Sequence, residues 1–73
     1  MKSARELFED VNYIRDENLN IDKYGHKLLI YRKKNNKYRA IIFDLQDKEI
    51  ITDDISFKVI PAINQQINEL GWK

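Results

Sequence analysis

Few side chains in this sequence could act in acid–base or nucleophilic chemistry. The chain has one histidine, His26, no cysteine and two serines. We interpret Ser3 and Ser56 as residues that begin helices, because a serine hydroxyl there accepts a hydrogen bond from a free backbone N–H. No nucleophile lies close to His26 in the sequence, which is typical of a histidine in a turn or at the start of a strand rather than of a general base. The sequence therefore predicts no catalytic residue and a protein that is not an enzyme.

Two groups of acidic side chains have the residue types of a cation site without the expected arrangement. Asp53 and Asp54 lie near two further aspartates, Asp44 and Asp47, in the sequence. Adjacent side chains point to opposite sides of a strand, however, and aspartate is a common cap before a helix. Residues 16–22 alternate like a calcium-binding loop but lack its glycine at the sixth position and its closing glutamate. We expect neither a metal site nor a cofactor.

The charges are distributed most unevenly between Asp22 and Asp44, where no acidic residue occurs. The basic residues of this stretch are Lys23, Lys27, Arg32, Lys33, Lys34, Lys37 and Arg39. The net charge of the whole chain is only +1, so the residues outside this stretch carry a net charge of 1 − 7 = −6. Basic side chains interleaved with Tyr31 and Tyr38 could neutralise phosphates while the rings stack on unpaired bases. The candidate nucleic-acid-binding residues of this basic hairpin, residues 27–39, are Lys27, Arg32, Lys33, Lys34, Lys37 and Arg39.

The same charges also have a structural interpretation. Lysines at a hairpin tip keep a strand soluble and prevent edge-to-edge pairing. An acidic remainder of the molecule would in addition repel a polyanion. Nucleic-acid binding is therefore the second of two functional hypotheses.

A first helix is predicted directly after Ser3. Ser3 and Glu6 have the spacing of a capping box, in which each side chain accepts a hydrogen bond from the other residue's backbone. An apolar stripe follows at i, i+3, i+4 and i+7, formed by Ala4, Leu7, Phe8 and Val11. Acidic residues near its C-terminal end are unfavourable to the helix dipole, so the helix should stop near Asn12.

A second helix is predicted at the C-terminus. Its apolar seam is Ile60, Ile63, Ile67 and Leu70. Gly71 suits the left-handed position after a helix, and Trp72 suits the apolar contact of a Schellman motif. The start is open between Ser56, which we favour, and Pro61, because proline fits best at the first helical position whereas residues 55–59 alternate like a strand.

A β-hairpin is predicted around residues 35–36, both asparagine, because asparagine tolerates the positive φ of a type I′ turn. A two-residue loop there pairs Ile30 with Ile41 on one face of the sheet. It pairs Tyr31 with Ala40 on the other face. That second face would carry an apolar and aromatic patch of Leu29, Tyr31, Tyr38, Ala40 and Ile42.

An exposed patch of this kind usually binds a partner. If both helices pack on the opposite face, the patch is free to bind another protein or a second copy in a two-fold dimer. The alternative is that residues 13–23, with Leu19 and Ile21, fold back and cover it. Protein–protein interaction, homodimerisation included, is the first hypothesis.

The predicted elements follow the order α-β-β-β-α. This is an α+β fold in which a three-stranded antiparallel meander packs both helices on one face. A turn over residues 46–48 leads into the third strand, and the length of its loop decides whether Ile50 or Ile51 faces the core. The sequence leaves that choice open.

Length and composition predict a single domain over residues 1–73. The chain is 42% hydrophobic and 34% charged, which is typical of a compact rather than a disordered protein. No apolar run approaches the roughly 20 residues of a bilayer-spanning helix. The first residues, MKSARELFEDV, include acidic side chains where a signal peptide requires apolar ones. We expect a cytoplasmic protein without membrane contact, and the absence of cysteine fits a reducing compartment.

The segments ARELFE, IIFDLQDK and PAINQQINELGW resemble a group of small phage and prophage proteins of low-GC Gram-positive bacteria. The most recognisable part spans residues 62–72, and Pro61 departs from the pattern. The group has no known activity, so the resemblance implies no site residue. The element order is also similar to that of double-stranded-RNA-binding domains. Here, however, Tyr24-Gly25-His26 precedes the first strand of the meander instead of following it, and the lysine cluster at the start of the second helix is missing.

Overall fold

The chain forms a helix, then five strands of one sheet, then a second helix. A computed structural model describes residues 1–72. The elements are α1 (Ala4–Asp10), β1 (Tyr13–Arg15), β2 (Asn20–Ile21), β3 (Lys27–Lys33), β4 (Asn36–Asp44), β5 (Glu49–Thr52) and α2 (Ile60–Leu70), with a 3₁₀ turn at Phe57–Val59. The predicted α+β class with a helix at each end is confirmed, and two short strands join the three predicted ones. None of the helices in residues 1–72 has the length and apolar character needed to cross a membrane.

The capping box places the start of α1 as predicted. The Ser3 hydroxyl accepts a hydrogen bond from the Glu6 N–H at 3.2 Å, and the Glu6 carboxylate accepts one from the Ser3 N–H at 3.0 Å. Ala4 and Phe8 are fully buried on the predicted apolar stripe. The Ala4 N–H donates to the Glu69 carboxylate at 2.8 Å, which ties the start of α1 to the end of α2.

The strands lie in the order β1-β3-β4-β5. Strand β2 also pairs with β3, on the same edge as β1 but at the start of β3 instead of its end. All of these pairs are antiparallel. Residues 13–23 thus extend the edge of the sheet instead of folding over its face, and Leu19 and Ile21 are exposed.

The predicted register of the β3–β4 hairpin is wrong by one residue. Ile30 lies opposite Ile42, and Tyr31 lies opposite Ile41. The loop is formed by Lys34 and Asn35, and Lys33 pairs with Asn36. Because a one-residue shift changes which residues of the two strands share a face, the core side carries Leu29 and Tyr31 from β3 with Ile41 and Phe43 from β4.

A bulge in β4 causes this shift. Arg32 pairs with Ala40, whereas the next residue, Lys33, pairs with Asn36. Residues 37–39 of β4 therefore have no partner on β3. The Asn36 side chain accepts a hydrogen bond from the Tyr38 N–H at 3.1 Å, and the Arg32 guanidinium donates to the Lys37 carbonyl at 3.4 Å. Asn35 and Asn36 do not have positive φ, since Asn12 and Lys48 are the only non-glycine residues with positive φ in the described chain. The expected type I′ turn is therefore also wrong.

The core lies between the sheet and the two helices. The Phe8 ring stacks on the Tyr31 ring with centroids 3.9 Å apart, and both rings meet the edge of Phe43. Helix α2 and the preceding turn add Val59, Ala62 and Ile63 to this cluster. The buried Tyr31 hydroxyl donates to the Gln66 side-chain carbonyl at 2.6 Å, so the one polar group among these rings is satisfied.

Both predicted starts of the C-terminal helix occur in succession. Ser56 caps the 3₁₀ turn by accepting a hydrogen bond from the Lys58 N–H, and Pro61 lies in the first turn of α2. The predicted Schellman end is confirmed, because the Gly71 N–H donates to Asn68 and the Trp72 N–H donates to Ile67, each at 3.1 Å.

The structure corrects the predicted position of Ile60 and decides which isoleucine of β5 faces the core. Ile60 was expected in the seam of α2 but is 43% exposed at the start of that helix. On β5, Ile50 packs against the core and Ile51 points away from it, because the loop from β4 spans residues 45–48 and places Glu49 opposite Asp44.

Candidate functional site

The sheet face away from the helices is uncovered, and we call it the open face. Its centre is a row of three isoleucines, Ile30 on β3, Ile42 on β4 and Ile51 on β5, which lie directly opposite one another across the strands. We call these three residues the isoleucine row. Strand alternation places Ala40 and Ile14 beside the row on the same face.

Exposure on the open face increases from its centre to its margins. Ile30 is buried by its neighbours, and Ile42 is half-buried. Ile51 on the edge strand is 53% exposed, and Ile14 on the opposite edge is 42% exposed. Tyr38, in the bulge of β4 at the tip end of this face, is 87% exposed. The open face thus presents aliphatic and aromatic surface to its surroundings.

The predicted partner-binding patch coincides with the open face only in part. Ala40 and Ile42 lie on it, and Tyr38 lies in the bulge at its margin. Leu29 and Tyr31 do not, because the register shift turns them to the helix side, where both are buried. Ile30 and Ile51 take their places.

A histidine surrounded by carboxylates marks one end of the open face. His26 Nδ1 lies 3.1 Å from Asp44 Oδ2, 3.5 Å from Asp22 Oδ2 and 3.8 Å from Asp47 Oδ2. We call these four residues the His26 cluster. A tight turn from Asp22, in which its carboxylate accepts hydrogen bonds from two backbone N–H groups, sets the ring in place. Gly25 supports this turn with φ of 84°.

The His26 cluster shifts the pKa values of two of its members. The hydrogen bond with Asp44 raises the pKa of His26 against the effect of partial burial, and the charges of Asp22 and Asp47 raise it further. Burial alone would raise the pKa of Asp44. The Asp47 N–H, the His26 ring and the Gln46 N–H together hold the pKa of Asp44 below its usual value. The cluster can therefore hold a proton between the β2–β3 turn and the end of β4.

Two sets of donor atoms near this end would suit a cation by residue type. They are Asp22, His26 and Asp44, and Asp44, Asp47 and Glu49, with the donor atoms of each set within 4.8 Å of one another. Asp44 belongs to both, and its carboxylate already accepts from two backbone N–H groups and the His26 ring. These hydrogen bonds give the cluster a structural role, because they join the β2–β3 turn to the turn that follows β4.

The opposite end of the open face carries the hairpin tip. Arg32 lies on this face and donates to the Asp16 carboxylate at 3.0 Å. Lys34 and Lys37 follow at the tip, and no carboxylate in residues 1–72 lies within ion-pair distance of either side chain. One end of the face is therefore basic and the other acidic.

The candidate nucleic-acid-binding residues do not share one surface. Arg32 is on the open face, whereas Lys33 lies over the Tyr13 ring on the helix side. Arg39 donates to the Asp54 carbonyl at 2.6 Å, near the 3₁₀ turn. Lys27 is at the other end of β3 from the tip. The basic side chains therefore form no single patch, and the nucleic-acid hypothesis stays a prediction.

Within residues 1–72, no hydrogen bond joins a serine hydroxyl to the His26 ring. Ser56 lines a cleft of about 480 Å³ between α1 and the 3₁₀ turn, and a second cleft of similar volume lies beside residues 15–20. His26 lines neither of these two clefts.

The His26 cluster is the feature that sequence reasoning missed. The sequence suggested grouping Asp44 and Asp47 with Asp53 and Asp54, which are near in the chain but follow β5 at its other end. The signal was present in the tight turn of DKYGH, which folds Asp22 back onto His26. Only the correct register, with Asp44 opposite Leu28, brings the third carboxylate to the ring.

Comparisons of this chain with protein-family models, with curated proteins and with solved structures returned no match. The resemblance to phage and prophage proteins and the similarity to double-stranded-RNA-binding domains stay predictions. Any functional argument therefore depends on the geometry of the molecule itself.

Proposed function

We propose that this protein is a non-catalytic binding module whose open face binds protein, and that the surface it binds is the open face of a second copy. The observation that carries the proposal is the uncovered isoleucine row on a sheet whose other face holds both helices. Apolar surface in contact with water favours association by about 25 cal/mol per Å² removed. A two-fold dimer covers both exposed rows in one step.

The size of the open face predicts a weak dimer. Four strands at about 4.8 Å spacing, with the seven residues of β3 at about 3.3 Å each, give a face of roughly 450 Å². Two such faces, with the Tyr38 rings at their margins, bury an area near the lower limit of roughly 1,000 Å² for a specific interface. We expect a dissociation constant of about 10–500 µM.

Sedimentation equilibrium from about 5 to about 500 µM protein tests the proposal. The wild-type chain should approach a dimer at the upper end, and Ile51→Lys should weaken association by more than about tenfold, because each copy would bury an unpaired charge. The fold should survive this change, since Ile51 is half-exposed.

The matched control is Ile60→Lys, the same substitution at an isoleucine of comparable exposure on the helix side. It should leave the association unchanged. A wild-type chain that stays monomeric over the whole range, or an equal loss in both variants, would contradict the proposal.

A further inference from the structure

We infer that the two copies stack with antiparallel strands, about a two-fold axis that runs along the isoleucine row. This inference rests on the proposed function and names the partner's orientation. The hairpin tip of each copy then lies over the His26 cluster of the other.

Face-to-face stacking of two identical sheets leaves two simple choices of axis, because a two-fold axis must lie in the plane between them. An axis parallel to the strands places tip over tip and acidic end over acidic end. An axis along the isoleucine row exchanges the two ends. It also places each isoleucine of the row over the same residue of the partner.

The charges favour the second choice. Asp22, Asp44, Asp47 and Glu49 lie at the acidic end, and with Lys23, Lys27 and Lys48 close by, one excess negative charge is left there when His26 is neutral. The tip carries Lys34 and Lys37, neither in an ion pair within residues 1–72. Like charges placed opposite each other suppress an orientation, and opposite charges select it.

The spacing along β3 agrees with this orientation. Lys34 follows Ile30 by four residues, and His26 precedes it by four residues. An axis through Ile30 therefore brings Lys34 of one copy to the His26 cluster of the other, where Asp47 has the most exposed carboxylate.

A charge exchange tests the orientation. Lys34→Glu and Asp47→Lys should each weaken dimerisation by about tenfold in sedimentation equilibrium, because each change affects both symmetric contacts. The combined Lys34→Glu/Asp47→Lys chain should return to within about threefold of the wild-type constant. Lys58→Glu, which makes the same charge change on the helix side, should have no such effect.

A single introduced cysteine gives a second measurement, because the natural chain has none. With the axis along the row, residue 51 faces its own copy across the inter-sheet distance of about 10 Å, which is too long for a disulfide but which a short bismaleimide spans, so Ile51→Cys should be cross-linked by that reagent at least about tenfold faster than Ile60→Cys. With the axis parallel to the strands, the two β5 strands lie roughly 17 Å apart, because a lateral offset of about 14 Å combines with the inter-sheet distance of about 10 Å, and no acceleration follows.

The outcomes separate the two proposals. A dimer that Ile51→Lys disrupts but the charge exchange does not restore would overturn the antiparallel orientation and leave the open face as the interface. A chain that remains monomeric at the highest concentration would overturn both. Restoration by the charge exchange together with fast Ile51→Cys coupling supports the orientation.

Discussion

The two faces of the sheet are built by alternate residues of the same strands, yet they differ in chemistry and in burial. The helix side carries Tyr31, Ile41 and Phe43, all buried under α1 and α2. The open face carries the isoleucine row, whose edge residue is half-exposed. Ile41 and Ile42 are neighbours of the same type in one strand, so hydrophobicity alone does not determine which is buried. The position of the helices does.

The largest expected difference between the faces comes from shortening these two neighbours. Ile41→Ala should lower the free energy of unfolding by about 2–5 kcal/mol, because it leaves a cavity under the helices. Ile42→Ala should cost only about 1 kcal/mol, since its side chain is half-buried and no closed cavity results. Urea denaturation of both variants measures the difference.

These measurements belong at low micromolar protein, where association adds little to stability. Equal losses in the two variants would mean that the open face is covered as well, and the comparison between the faces would fail.

A smaller effect is expected from the hydrogen bond inside the core. Tyr31→Phe leaves the Gln66 carbonyl without its donor in a buried site, which should cost about 1–3 kcal/mol. Tyr31→Phe/Gln66→Leu removes both polar groups and should recover part of that loss. The urea midpoints of the two variants measure this recovery. A double variant less stable than Tyr31→Phe would show that the two side chains contribute more to stability than their hydrogen bond.

The smallest effect concerns the His26 cluster at the end of the open face. Its surroundings raise the pKa of His26 above the unfolded value of about 6.5. The cluster's contribution is therefore fully present below about pH 6.5 and is lost as pH rises through the folded-state pKa. The urea midpoint of the wild type should exceed that of His26→Gln by more at about pH 5.5 than at about pH 8.5. A difference between the two proteins that does not change with pH would mean that His26 takes up no proton on folding.

Both helix ends were predictable because their signals are local. The capping box of Ser3 and Glu6 and the Schellman end at Gly71 each depend on residues within one or two turns. Hydrogen bonds inside such a short segment form in the same way wherever the segment packs. The presence of a hairpin near Asn35 and the α+β class followed from the same kind of pattern.

The candidate site was predictable only in part. Sequence reasoning expected an apolar, partner-binding sheet face and found two of its residues, Ala40 and Ile42, with Tyr38 in the bulge at its margin. It assigned Leu29 and Tyr31 to the wrong side because the register of β3 against β4 depends on a bulge. Either register aligns apolar residues of the two strands, so the pattern of side chains does not choose between them.

By itself, therefore, the sequence determined the two helices, the three strands of the meander, the start of α1 and the end of α2. The tertiary structure decided which residues of β3 share a face with those of β4, and it placed Asp44 beside His26. The reason is physical. Caps are formed by residues that are close together in the chain, whereas the register is selected by the packing of Tyr31 and Phe43 of the sheet against Phe8 of α1 and against α2. That selection placed one face of the sheet under the helices and left the isoleucine row, with the half-exposed Ile51 at its edge, on the face that no helix covers.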